Sequence, residues 1–153
     1  MSEVALADTE GAGLETSRTV RLRVPARPEY IALARLALTG LAEFSPLSEE
    51  DIADLKLALT EAVSNSVRHA YAGGDGFVSI AYELSPTALE IEVVDDGAGF
   101  DPAVAAPLDG DELSEGGLGI AIIRTIVDEL EITSRPGVRG SRLRLTKRLL
   151  PSA

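Results

Sequence analysis

Two alternating runs, Phe77–Leu84 and Ala88–Asp95, are separated only by Ser85-Pro86-Thr87. A link this short makes a hairpin, and hairpin-joined strands cannot be parallel neighbours, because a parallel pair needs a crossover of a dozen or more residues. A doubly wound parallel sheet is therefore excluded at the centre of the chain. The other segments are placed around this pair. Thr19–Val24 alternates, with Val20, Leu22 and Val24 on one face and Arg21 and Arg23 on the other, which predicts a strand with one wet face. Residues 29–44 carry Ile31, Ala34, Leu38 and Leu41 on one helical stripe. Ser48, with Asp51 three residues on, predicts the cap of a second helix running to about Tyr71. Its stripe includes Ile52, Leu55, Leu59, Ala62, Val63, Ser66 and Val67, and Gly73-Gly74-Asp75-Gly76 stops it. A long glycine- and proline-bearing loop over 97–117 precedes a helix expected at 118–130, then strands near 131–134 and 141–147. The order β-α-α-β-β-loop-α-β-β predicts a two-layer α/β sandwich with a mixed, mostly antiparallel sheet and helices on one face.

Composition narrows the function classes. A net charge of −11 disfavours a reader of the phosphate backbone, so no direct nucleic-acid partner is expected. The chain has no cysteine, which excludes disulfides, thiolate metal sites and cysteine nucleophiles. No apolar run approaches the roughly 18 residues of a membrane span, and the first residues lack the basic and apolar segments of a signal peptide. These features lead to the expectation of a cytoplasmic protein with no membrane partner. Residues 1–17 hold Glu3, Asp8, Glu10 and Glu15 and no base, and are expected to be a disordered acidic tail. The domain is expected over 18–148, with a short C-terminal tail at 149–153.

Four constellations carry chemistry. Glu61, Asn65 and His69 stand at i, i+4 and i+8 on one helix face, with Arg68 leaning toward the same side; alone, this is equally a solvated polar face. Asp95 continues the inward face of Leu89, Ile91 and Val93, where a carboxylate needs a partner, and Gly97 and Gly99 follow it; alone, it reads more simply as a strand-ending turn in which an aspartate caps local amides. Gly116-Gly117-Leu118-Gly119 leads into a helix, where free N–H groups suit phosphate. No Gly-Lys-Ser/Thr follows and no βαβ unit surrounds it, so it is neither a Walker motif nor a dinucleotide fingerprint. Last, Gly140-Ser141 opens a strand with Ser141, Leu143 and Leu145 facing inward, which alone is an ordinary final strand. The single histidine is not a convincing metal ligand, since such sites gather several ligands.

Taken in order, Glu-x-x-x-Asn on a helix, Asp-x-Gly-x-Gly after a strand, Gly-x-Gly before a helix and Gly-Ser at the last strand resemble the nucleotide site of the GHKL superfamily, the Bergerat fold. The likeness covers about residues 18–148 and is closest to small bacterial anti-sigma-factor serine/threonine kinases. The segment Leu59–Tyr71 and the Arg144–Lys147 ending carry much of it. The resemblance implies ATP and Mg²⁺ as cofactors. It implies that Asn65 holds Mg²⁺, Glu61 is the general base, and Asp95 binds the adenine amine beside Gly97 and Gly99. Gly117, Leu118 and Gly119 would frame the phosphates, with Arg68 and Thr146 as further nucleotide contacts. Arg35 falls where the family places a partner-contacting arginine. The implied function is an anti-sigma factor working by partner switching: it sequesters a sigma factor and phosphorylates a serine on an anti-anti-sigma protein, as a homodimer. One departure stands out. The lid segment Asp101–Gly116 has five acids (Asp101, Asp109, Asp111, Glu112, Glu115) and no Lys or Arg. That favours, as the alternative, an ATP-gated module that sequesters a regulator without phosphoryl transfer. A third possibility, the catalytic domain of a histidine kinase, would need a phospho-acceptor helix from another chain.

Overall fold

In the computed structural model the central hairpin forms as the sequence demands. The structure describes residues 3–8, 17–71, 76–97, 117–134 and 140–149. Strands β1 (Glu3–Asp8), β2 (Arg18–Pro25), β3 (Phe77–Leu84), β4 (Ala88–Asp95), β5 (Glu129–Thr133) and β6 (Ser141–Arg148) make one sheet in the order β1-β2-β3-β4-β6-β5. Every pairing is antiparallel, so no mixed sheet is present among the described residues. The hairpin turn is tied by Ser85, whose N–H donates to the Ala88 carbonyl at 2.9 Å and whose hydroxyl oxygen accepts the N–H groups of Thr87 and Ala88.

Helices α1 (Ile31–Ala42), α2 (Glu49–Tyr71) and α3 (Gly117–Ile126) complete the fold. A single 3-10 turn at Pro28–Tyr30 leads into α1. Ser48 caps α2 as expected: its hydroxyl oxygen accepts the Asp51 N–H at 3.0 Å. Glu49, Glu50 and Asp51 in the first turn complement the positive end of the helix dipole. The inward residues of the sheet, among them Leu22, Ile80, Tyr82, Leu89, Ile91, Leu143 and Leu145, bury against Leu38, Leu55, Leu59, Val63 and Ile123 of the helices. With aromatics at only 4% of the chain, aliphatic interdigitation supplies nearly all of this burial. Tyr82 is the exception. It is fully buried, and its hydroxyl donates to the Ala34 carbonyl at 2.7 Å, tying β3 to α1.

The structure corrects three expectations. Glu3–Asp8 is not a structureless tail but pairs with β2, from Glu3↔Arg23 to Asp8↔Arg18. Val4, Ala5, Leu6 and Ala7 are compatible with a strand once a neighbour offers its ladder, and acid content alone did not reveal that. The C-terminal tail begins later than 149, because Leu149 is buried and donates its N–H to the Thr87 carbonyl at 2.9 Å. The third helix ends at Ile126, four residues before its expected end at 130. There the Asp128 N–H donates to the Thr146 carbonyl at 2.9 Å and the Asp128 carboxylate accepts the Arg148 N–H at 2.7 Å. These bonds to β6 draw the chain into β5 and override the local helical pattern.

Candidate nucleotide site

Helix α2 carries the first constellation. Glu61, Asn65 and Arg68 rise along one side of the helix, beside the stripe that packs on the sheet. Glu61 is half-buried and Arg68 is exposed. Asn65 is 2% exposed, and neither its Nδ2 nor its Oδ1 has a hydrogen-bond partner. The neighbouring Ser66 hydroxyl is likewise buried and unpartnered. Orphaned buried polar atoms are costly, and native folds rarely leave them so without a reason such as a ligand, ion or water. His69 lies on the same helix.

At the end of β4, Asp95 is 4% exposed and faces inward, as the alternation required. One carboxylate oxygen accepts the Gly97 N–H at 2.8 Å. The other accepts the Ser141 hydroxyl at 2.6 Å. Asp95 and Ser141 stand opposite each other in the β4–β6 register. The junction is closed by the Gly140 N–H, which donates to the Gly97 carbonyl at 2.7 Å. Gly140 has φ +94, a conformation that side chains with a Cβ rarely adopt. A carboxylate offers about four lone-pair positions. Two are engaged within the protein, so acceptor capacity is left over for a ligand donor.

The third constellation comes to α2 rather than to β4. Gly117 and Leu118 open α3, and Gly119 follows in its first turn. Gly119 lies so close to α2 that an added Cβ would stand 2.8 Å from Glu61 Oε1. The start of α3 therefore sits directly against the Glu61 carboxylate. Gly99 and the acidic segment Asp101–Gly116, including Glu115, lie outside the described residues.

Two expected site residues need separate placement. Thr146 does not join the group. It sits toward the far end of β6, opposite Glu90 of β4 and Glu129 of β5, and two-residue alternation puts it on the face opposite Leu145. The hydroxyl that does reach Asp95 belongs to Ser141. The signal for it was the inward parity shared with Leu143 and Leu145. Arg35 is exposed on α1 and lines a shallow groove with Thr39, Glu49, Ile52, Lys56 and Leu57, apart from the Asp95 junction. The adjoining Leu36 and Leu57 are 66% and 44% exposed.

Among the described residues no group of three or more His, Cys, Asp or Glu side chains could hold a metal by itself. Any cation here would share its coordination with a bound anion and water, which is how Mg²⁺ is usually held. The free carbonyl oxygen of Asn65 fits that donor set. No described helix is long and apolar enough to cross a membrane.

Comparison with known proteins points to the same fold. The histidine kinase-like ATPase domain model matches residues 24–147. The serine-protein kinase RsbW of Bacillus pumilus is 38% identical over 136 residues, covering 81% of this chain and 83% of the relative. The protein of the same description from Listeria monocytogenes is 39% identical over 128 residues, with 78% and 82% coverage. That from Staphylococcus aureus is 36% identical over 139 residues, with 84% and 87% coverage. The crystal structure of the RsbU and RsbW domains of a Mycobacterium tuberculosis protein superposes with a TM-score of 0.64 at 24% identity. It covers 88% of this chain and 33% of that one, and supports the fold.

Proposed function

The chain belongs to the histidine kinase-like ATPase domain family, and from that premise we propose that it is an ATP-dependent serine/threonine protein kinase acting as an anti-sigma factor. The observation that carries the reading is the half-buried Glu61 carboxylate one helical turn before Asn65, whose buried carboxamide has no partner among the described residues. The serine-protein kinase relatives favour a serine hydroxyl as acceptor.

In this reading Asp95 accepts a hydrogen bond from the exocyclic amine of adenine, with Gly97 and Gly99 leaving room for the ring. The N–H groups of Gly117, Leu118 and Gly119 meet the phosphates at the positive end of α3, and Arg68 adds a cation. Asn65 Oδ1 is the protein's ligand to Mg²⁺, which when bound offsets phosphate charge. Glu61 takes the proton of the attacking serine hydroxyl as its oxygen bonds to the γ-phosphorus and ADP departs. Phosphoryl transfer is mostly positioning and charge neutralisation, so few groups are required. Arg35 and the exposed leucines beside it are the contact surface for protein partners: a sigma factor, and the anti-anti-sigma protein that carries the acceptor serine. A cytoplasmic homodimer completes the proposal.

The five carboxylates of Asp101–Gly116, with no base among them, favour a second reading, in which ATP gates sequestration and no phosphoryl group moves. One experiment separates the two. The protein is incubated with Mg²⁺, γ-labelled ATP and a small anti-anti-sigma protein. Label on a serine of the partner is expected, and Glu61→Ala should lower the rate by about 10²–10⁴-fold while nucleotide still binds. ATP-dependent complex formation without label transfer supports the second reading and overturns the first.

A further inference from the structure

Gly119 is a glycine that the backbone does not ask for. It stands in the first turn of α3, and among the described residues only Gly140 has a positive φ. Alanine is the better helix former at such a position. Gly40, the glycine of α1, has nothing within 4 Å of an added Cβ. Gly119 differs: its added Cβ would stand 2.8 Å from Glu61 Oε1, while Glu61 Cβ and Cδ would be at 3.7 and 3.8 Å, ordinary contact distances. The conflict falls on one atom, the free end of a flexible side chain. A methyl group at 119 would leave α3 seated on α2 and push only the carboxylate aside.

We infer that Gly119 is a positioning residue for Glu61: the missing side chain is the space in which the carboxylate stands. The rate consequence rests on the reading of Glu61 as general base. The same contact makes the place of the base depend on how the first turn of α3 is seated on α2. The glycine then serves the carboxylate as well as the phosphates.

The test is a mutant cycle with Gly119→Ala and Glu61→Asp, read by phosphoryl transfer at saturating ATP, by KM for ATP, and by the Cδ resonance of Glu61 in glutamate-labelled protein. Loss of one resonance in Glu61→Asp identifies that signal. Gly119→Ala should melt no lower than wild type and should move the Glu61 resonance. It should lower kcat by up to about 10²-fold, the cost of misplacing a reacting group by roughly 1 Å, with KM little changed. Aspartate is one methylene shorter and clears the methyl group, so adding Gly119→Ala to Glu61→Asp should change transfer by no more than about twofold. Equal losses on both backgrounds, or a Gly119→Ala protein with wild-type kcat and an unmoved resonance, would overturn the inference. If wild type transfers nothing, the kinase reading fails by itself. The resonance then decides the positioning: movement upholds it, and no movement refutes it.

Discussion

Replacing Asp95 with asparagine tests the base-binding reading most directly. The wild-type carboxylate holds the Gly97 N–H at 2.8 Å and the Ser141 hydroxyl at 2.6 Å. Asparagine keeps one carbonyl oxygen for Gly97. Its amide group then faces Ser141, whose hydroxyl can turn round and accept. The fold keeps both bonds in neutral form, about half as strong as the charged ones. That loss is offset by no longer burying a charge at 4% exposure. Melting should therefore fall by only a few degrees. Ligand binding changes more. The spare acceptor position on the Ser141 side becomes an N–H donor, which meets the adenine amine donor to donor, and only the carbonyl beside Gly97 still accepts. A lost hydrogen bond to a charged group costs about 1.5–3 kcal/mol, or roughly 10–150-fold in affinity. Guanine presents a carbonyl where adenine presents its amine, so the variant should also lose its discrimination against GTP. Titration calorimetry with ATP and GTP reads both effects. Wild-type ATP affinity, or weaker ATP binding with the ATP-to-GTP ratio unchanged, would show that Asp95 does not read the base.

Asn65→Ala should make ATP affinity the same with Mg²⁺ as with chelator. The apo variant should melt no lower than wild type, since the lost carboxamide makes no bond among the described residues; a fall of several degrees would argue for a structural role. Gly140→Ala should destabilise by about 1–2 kcal/mol, because φ +94 strains a residue with a Cβ, and calorimetric melting checks it. Tyr82→Phe removes the bond from the phenol to the Ala34 carbonyl, which as part of α1 keeps its helical donor, and should cost about 0.5–1.5 kcal/mol by urea unfolding. Burial pushes the Tyr82 phenol well above its ordinary 10.0. The folded state thus favours the neutral form, so this contribution is complete below pH 10 and fades as pH rises above it. Wild type should lose stability above about pH 10 more steeply than Tyr82→Phe.

Legibility in the sequence followed the range of the interaction. The hairpin, the Ser48 cap and the stripe of α2 rest on contacts within a few residues, and they formed as read. Asp95 was legible because two-residue alternation and the cost of a buried charge act together. What escaped depended on partners distant in sequence. β1 needs the ladder of β2. The end of α3 needs Thr146 and Arg148 of β6. The partner of Asp95 needs a register that only the folded sheet sets, and that register brings Ser141 to it. The closeness of Gly119 to Glu61 joins two helices packed side by side, and no pattern within either helix announces it.

The strand lengths hold one more consequence. The four inner strands each run 8 residues, while the outermost, β1 and β5, run 6 and 5. A sheet border is a row of unused N–H and C=O groups that recruits foreign strands, and shortness blunts it. On one side the border is β1, which lies before the matched family segment at 24–147. A chain trimmed to that segment would lose β1 and most of β2, leaving the full length of β3 as its border. Such a fragment is expected to self-associate into aggregates at concentrations where the whole chain stays dispersed. In a protein proposed to exchange partners, β1 would then serve as insulation against open-ended strand pairing with other copies, leaving the proposed homodimer untouched.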